Sequence, residues 1–183
     1  MKEFGIIVQK VSVSERGTEV FGHVFAGSLK VGDDLVVVSG SESILTHCRG
    51  LVDLSRKSFV SEVSAGADVA VVLPSDMFSF IGQAYQLLGK DVTRHSKVVV
   101  SVKADAAQQK ELVEKLKSIC FGDLMFPAFG KKITGAAKML GSFDSHCEVL
   151  AELISPLGYM QDLQLEYSKA GEAILQGKII RLL

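Results

Sequence analysis

Residues 16–34, RGTEVFGHVFAGSLKVGDD, decide how the chain is read. They read as two short strands joined by a turn. From Thr18 to Phe25 the pattern alternates. Val20, Gly22, Val24 and Ala26 share one face, with Thr18, Glu19 and His23 among the others. That is the period-two signature of a half-buried strand. Gly27 breaks the run. Val31-Gly32-Asp33-Asp34 is a turn into a second strand, Leu35 to Val38, whose unbroken apolar run predicts burial on both faces. Gly17, Gly22, Gly27 and Gly32 recur every five residues. Glycine within strands marks bulges, bends or close backbone approach, and a small barrel needs such corners to close. The rhythm therefore predicts a β-barrel at the front of the chain.

With Arg16, Gly17, Thr18, Gly22, Val24, Gly27, Leu29, Lys30, Val31, Gly32 and Asp33 in this spacing, the segment resembles the second domain of the translational GTPases. This is the small β-barrel of elongation factors Tu, G and two and of initiation factor Two. Residues 64–71, SAGADVAV, resemble a later strand of the same domain. Two departures stand out: His23 replaces the usual Arg or Lys, and Ala67 is inserted between Gly66 and Asp68. The resemblance covers about residues 4 to 89. It implies a barrel that meets a GTPase domain and ribosomal or transfer RNA, with Arg16 to His23 lining the edge that meets the partner.

Composition narrows the function classes. A hydrophobic content of 48% suffices for a packed core and hints at apolar surface used against a partner. The net charge of −1 argues against a chain that is a nucleic-acid binder by bulk charge. Residues 1–89 carry 7 Lys+Arg against 10 Asp+Glu, and residues 90–183 carry 13 against 11, so neither half is strongly basic. Cys48, Cys120 and Cys147 are far apart and odd in number, which fits free thiols in a reducing compartment. His47-Cys48 and His146-Cys147 repeat a dipeptide, but strand neighbours point to opposite faces and cannot both hold one ion. No metal and no cofactor is expected. No signal-type apolar run and no membrane-length stretch occurs, so the expectation is a cytoplasmic protein without membrane contact.

Taken in order, Phe4 to Val13 reads as a strand pair or one long bent strand, with Ile6, Val8, Val11 and Val13 facing inward. Ile44 to Leu54 reads as a further strand. Ser55-Arg56-Lys57-Ser58 is a hydrophilic turn holding the only basic pair of the first half. Val69 to Leu73 is a buried strand ended by Pro74. Phe78 to Leu88 stays open between helix and closing strand, and residues 90–94 have linker character. The expected division is 1–92 and 93–183.

The second part begins with a strand, Lys97 to Lys103. Asp105 and Gln108 form a capping box for a helix from Ala106 to Cys120, which Gly122 stops. Strands follow at 131–140 and 146–154. Ser155-Pro156 then reads as an N-cap with proline in the first turn, opening a helix through Met160, Leu163, Tyr167 and Ala170 that Gly171 ends. A last strand runs from Ile174 to Leu183. Strand, helix, strand, strand, helix, strand is the split βαβ order, so the expected fold is an all-β barrel followed by an α+β ferredoxin-like domain. Gly158-Tyr159-Met160-Gln161-Asp162-Leu163, with Ser168 and Gly171, resembles the C-terminal domain of elongation factors G and two. Residues 97–119 resemble the third domain of the same factors. These resemblances imply ribosome contacts, with Tyr159 and Asp162 as candidates beside Arg16, Gly17, Thr18, His23, Arg56 and Lys57.

The chain holds no Walker A string, no Asn-Lys-x-Asp motif and no catalytic constellation that the sequence forces together. The expectation is a non-enzymatic module that binds ribosome, RNA or a GTPase. The alternative is a protein-interaction or regulatory module that reuses the barrel without binding RNA.

Overall fold

Residues 17–30 form one continuous strand rather than a strand broken at Gly27. The computed structural model describes residues 4–39, 42–81, 84–127, 131–158 and 163–183. Two compact units result, Met1–Arg94 and His95–Leu183. The first unit comprises β1 (Phe4–Ser14), β2 (Gly17–Lys30), β3 (Asp34–Ser39), β4 (Glu42–His47), β5 (Gly50–Asp53), β6 (Ser58–Val60), β7 (Glu62–Ser64), β8 (Asp68–Leu73) and β9 (Ala84–Gly89). A 3-10 turn, Ser75–Met77, and a short α1 (Phe78–Ile81) precede β9.

The sheet order is β4-β3-β9-β1-β2-β8-β5-β6, with β7 also paired to β2. Phe4, Val8, Val20, Leu29, Leu35, Leu51, Val63, Val71 and Leu87 belong to one buried cluster, so the sheet wraps around its own core. The all-β expectation for this half holds, although the hydrogen-bonded path runs from β4 to β6 without closing.

Two irregularities in β2 explain the kink. Gly5 pairs with Ala26 and Ile6 with Val24, which leaves Phe25 as an extra residue in a bulge. Gly27 follows in the left-handed region, at φ 65°. Val24 and Leu29 both face the core across this point, so the inward phase flips here. Beyond the kink, Ser28–Lys30 leave β1 and pair with β7. Gly22 has a different task. A Cβ there would stand 2.2 Å from the carbonyl oxygen of Ile7.

Other inward positions differ from the sequence reading. Thr18 is buried beside Val20, not on the outer face. Val13 is exposed, because the β1–β2 tip projects beyond the core, whereas Ile6 and Val8 are buried. Ile44 to Leu54 is two strands, β4 and β5. Cys48 separates them, its N–H donating to Asp33 O and its carbonyl accepting from Gly32 N.

The second unit is a closed, all-antiparallel barrel in the order β10-β13-β12-β11-β14-β15. Its strands are β10 (His95–Lys103), β11 (Cys120–Phe126), β12 (Lys131–Ser142), β13 (His146–Leu157), β14 (Gln164–Lys169) and β15 (Glu172–Leu182). A single helix of this unit, α2 (Ala106–Lys115), lies among the described residues. The ferredoxin-like expectation is thus corrected. The split βαβ order needs a second helix and an open sheet, and the structure has β14 and closure instead.

The reason lies in periodicity and packing. Leu165 and Tyr167 alternate into the core while Gln164 and Lys169 face out, so the spacing that suggested a helix is a strand pattern. Ala170 and Gly171 both have positive φ, 52° and 84°, the two-residue hairpin turn that joins β14 to β15. Gly171 is therefore a hairpin residue, not a helix cap. Pro156 lies inside β13, at the point where its pairing with β10 is interrupted between His95 and Lys97. Gly122 does not stop the helix; it lies inside β11, where a Cβ would meet Ser168 O at 2.3 Å and the Tyr167 ring at 2.7 Å. The capping box forms as read, with Asp105 Oδ1 accepting from Ala107 N and Gln108 N and Gln108 Oε1 accepting from Asp105 N.

Gly22→Ala should cost about 2 kcal/mol or more, because its Cβ meets backbone that only a strand shift can relieve. Urea unfolding should show a lowered midpoint. Gly66→Ala, which meets nothing within 4 Å, should show only the smaller cost of its positive φ of 92°.

Candidate functional site

Pairing places a row of side chains across five strands on the outer face of the first unit. Lys10 pairs with Phe21, Phe21 with Ala70, Ala70 with Val52 and Val52 with Phe59. The neighbours Val20, Val71, Leu51 and Val60 face the core, so this row faces outward. Lys10 Nζ lies 5.7 Å from the centre of the Phe21 ring. The Arg16 guanidinium, carried on the β1–β2 tip, lies 4.9 Å from the centre of the Phe59 ring. A cation at this distance from a ring face is held by the ring quadrupole, at roughly 0.5–1 kcal/mol where exposed. Phe59 remains 63% exposed and Ala70 only 2%. Small side chains thus line the middle of the row, with a cation and a ring at each end.

The β5–β6 turn adds the basic pair. Asp53 Oδ1 accepts from Ser55 N, Ser55 Oγ and Arg56 N at 2.9, 2.6 and 3.1 Å. The Ser55 hydroxyl, first, and these amides hold the Asp53 carboxyl below its ordinary range. Asp53 therefore organises the turn, Lys57 takes a left-handed conformation at φ 51°, and Arg56 projects outward, 76% exposed with its Nε 3.6 Å from Asp53. His23 lies on the outer face of β2, its Nδ1 2.9 Å from Asp68 Oδ1.

The structure thus brings Arg16 beside the hairpin that carries Arg56 and Lys57. His23 shares their face, but Asp68 engages it. Gly17 and Thr18 serve the scaffold. Gly17 packs against Leu73 O, and Thr18 Oγ1 donates to Ser75 O at 3.4 Å. Tyr159 and Asp162 lie outside the described residues. Sequence reasoning missed Lys10, Phe21 and Phe59; outward aromatics in an alternating strand were the available signal.

The turn acids and thiols are structural. Asp33 Oδ2 accepts from Lys30 N at 2.8 Å, and Asp34 pairs with Lys90 at 3.0 Å, a bond that raises the lysine's pKa. All three cysteines are free and buried. Cys48 is walled in by the core and donates to Gly50 O at 3.4 Å; burial, first, pushes its thiol up to about 11. His146 stacks on Phe143 at 4.8 Å. Among the described residues no group of three His, Cys, Asp or Glu side chains could hold a metal ion.

No family model matches the chain. Among solved structures, the chain is similar to a bacterial selenocysteine-specific elongation factor, EF-Sec. The likeness has a TM-score of 0.72 at 17% identity and covers the whole of this chain. The chain spans 28% of that factor's length. The fold is therefore that of a portion of a translation elongation factor. Among the described residues no helix is long and apolar enough to cross a membrane.

Cys48 gives a pH prediction. Its folded pKa lies above the unfolded value, so the unfolded state sheds its proton first as pH rises. The stabilisation from the neutral buried thiol is complete below the ordinary thiol pKa. It should fall by about 1.4 kcal/mol per pH unit until about pH 11. Urea midpoints measured across that window should fall less steeply in Cys48→Ala.

Proposed function

We propose that the chain is a non-catalytic docking module of translation-factor type that binds the ribosome or its RNA through the outer face of β1, β2, β8, β5 and β6. The observation that carries this reading is the row ended by Lys10 over Phe21 and Arg16 over Phe59. Cations engage phosphates, and rings or guanidinium planes stack on unpaired bases. Arg56 adds a largely exposed cation on the adjoining turn, anchored at one side by Asp53. The elongation-factor fold supports the translation context. A GTPase surface is a further contact of the same kind. No nucleotide-binding or catalytic chemistry is assigned to these residues, and the reaction class proposed is none.

The second reading is a module that docks proteins without RNA. The net charge of −1 favours it, because most of the long-range attraction for a polyanion is missing.

Co-sedimentation of the full chain with ribosomes separates the two. The docking reading expects association at low salt that falls steeply as ionic strength rises. Arg16→Ala and Arg56→Ala should each weaken it and reduce the salt slope by about 1. Phe59→Ser should weaken it with the slope nearly unchanged. Absence of association at low salt, or association indifferent to these changes, overturns the ribosome reading.

A further inference from the structure

The sheet of the first unit has two ends, and they are finished differently. The hydrogen-bonded path begins at β4 and stops at β6, so each of these strands pairs along one edge only. An unpaired strand edge is a template for another strand, and folded proteins block it with Lys, Pro, a bulge, a covering loop or a very short edge strand. β6 is short, Ser58–Val60, and follows the basic turn of Arg56 and Lys57. β4 has none of these protections. It runs for six residues, Glu42–His47, with no Lys, Arg or Pro, and its one carboxylate, Glu42, stands at its end. Its register with β3 runs from Asp34–His47 to Ser39–Glu42 without a shift, so no bulge turns it aside. Glu42, Ser43, Leu45 and His47 are exposed, so no loop among the described residues covers it.

The direction of the backbone groups follows from the ladder. Cys48 N donates to Asp33 O, toward β3. Alternate residues of an antiparallel strand direct their N–H and C=O the same way. Thr46, Ile44 and Glu42 therefore face β3, and Ser43, Leu45 and His47 face the open edge. Among the described residues no strand pairs with them on that side.

This edge is complementary to itself. A two-fold axis at Leu45 sets two β4 strands antiparallel, with Leu45 opposite Leu45 of the second copy and Ser43 opposite His47 in both directions. All three open-edge residues then fall in hydrogen-bonded pairs, each exchanging two bonds. Between them Ile44 meets Thr46 of the second copy, a β-branched pairing that suits a sheet. Glu42 falls opposite Cys48, so no like charges meet. Leu45, 65% exposed in the single chain, is covered by its counterpart. Six residues a side fall short of the 20–30 of a permanent interface, so the pairing is weak and depends on concentration.

We propose that β4 is a self-association edge, through which two copies of the chain join their first-unit sheets as an antiparallel dimer. The pairing uses no residue of the cationic row and does not depend on the ribosome reading.

Sedimentation equilibrium of the full chain over a range of concentrations tests this, with Leu45→Pro and Leu45→Thr beside the wild type. A proline at position 45 removes the open-edge N–H and fills its place, while the bonds to β3 remain; edge strands tolerate proline in this orientation. Threonine keeps the N–H and the strand preference. The expected result is a wild-type mass that rises from one chain toward two with concentration. Leu45→Pro should stay at one chain throughout, and Leu45→Thr should still associate. Ser43→Pro blocks the same edge and serves should Leu45→Pro unfold. Three results overturn the proposal. The first is a wild type that remains a single chain at every concentration. The second is a dimer that survives the proline variants, which places the contact elsewhere. The third is a single chain that binds extended peptides from a displayed library and loses them in Leu45→Pro, which assigns the edge to a different protein.

Discussion

The absence of a side chain at Gly22 is the constraint on which the first unit depends. β1 and β2 approach so closely there that the Ile7 carbonyl occupies the space of a Cβ. β2 is also the strand that the unit shares most widely. It pairs with β1 along one edge and with β8 and then β7 along the other. With that approach secured, Val20 and Val24 reach the core from one side of the strand, and Phe21 and His23 are turned outward. The outward-facing row is thus a consequence of the same register that closes the core.

A like device recurs in the second unit. Gly122 on β11 lets the Tyr167 ring and the Ser168 carbonyl come against the backbone. The Tyr167 hydroxyl then donates to Cys120 O at 2.9 Å, inside the barrel. Burial without that bond would leave the phenol unsatisfied, at a cost of about 1–3 kcal/mol. The bond joins β14 to the start of β11, two strands that pair over only Asp123 to Met125. The outer wall formed by this closure bears Phe121, which the strand alternation turns away from the core.

The two units present different chemistry on their outer walls. The first sets cations on rings along a floor of small residues. The second sets apolar walls around small residues, with neighbouring charges paired off. A cationic, aromatic surface suits a partner rich in phosphate and bases. Both surfaces stand on strands whose opposite faces are locked in a core, which holds them in shape.

Local chemistry was legible in the sequence. The alternation of β2, the turn at Gly32, the buried run of β8 and the capping box of α2 each depend on neighbours a few residues away. The outward character of His23 was legible for the same reason. Three things were decided only by tertiary structure. Tyr167 fits a helix or a strand equally by its spacing from Leu163, and barrel closure placed it in a strand. Gly122 reads as a helix stop until Tyr167 is packed against it. Arg16 and Phe59 lie 43 positions apart in the chain and meet only because β8 and β5 stand between their strands. Pairings over that distance depend on which edges are left unsatisfied once the whole sheet has formed, and no local pattern encodes that.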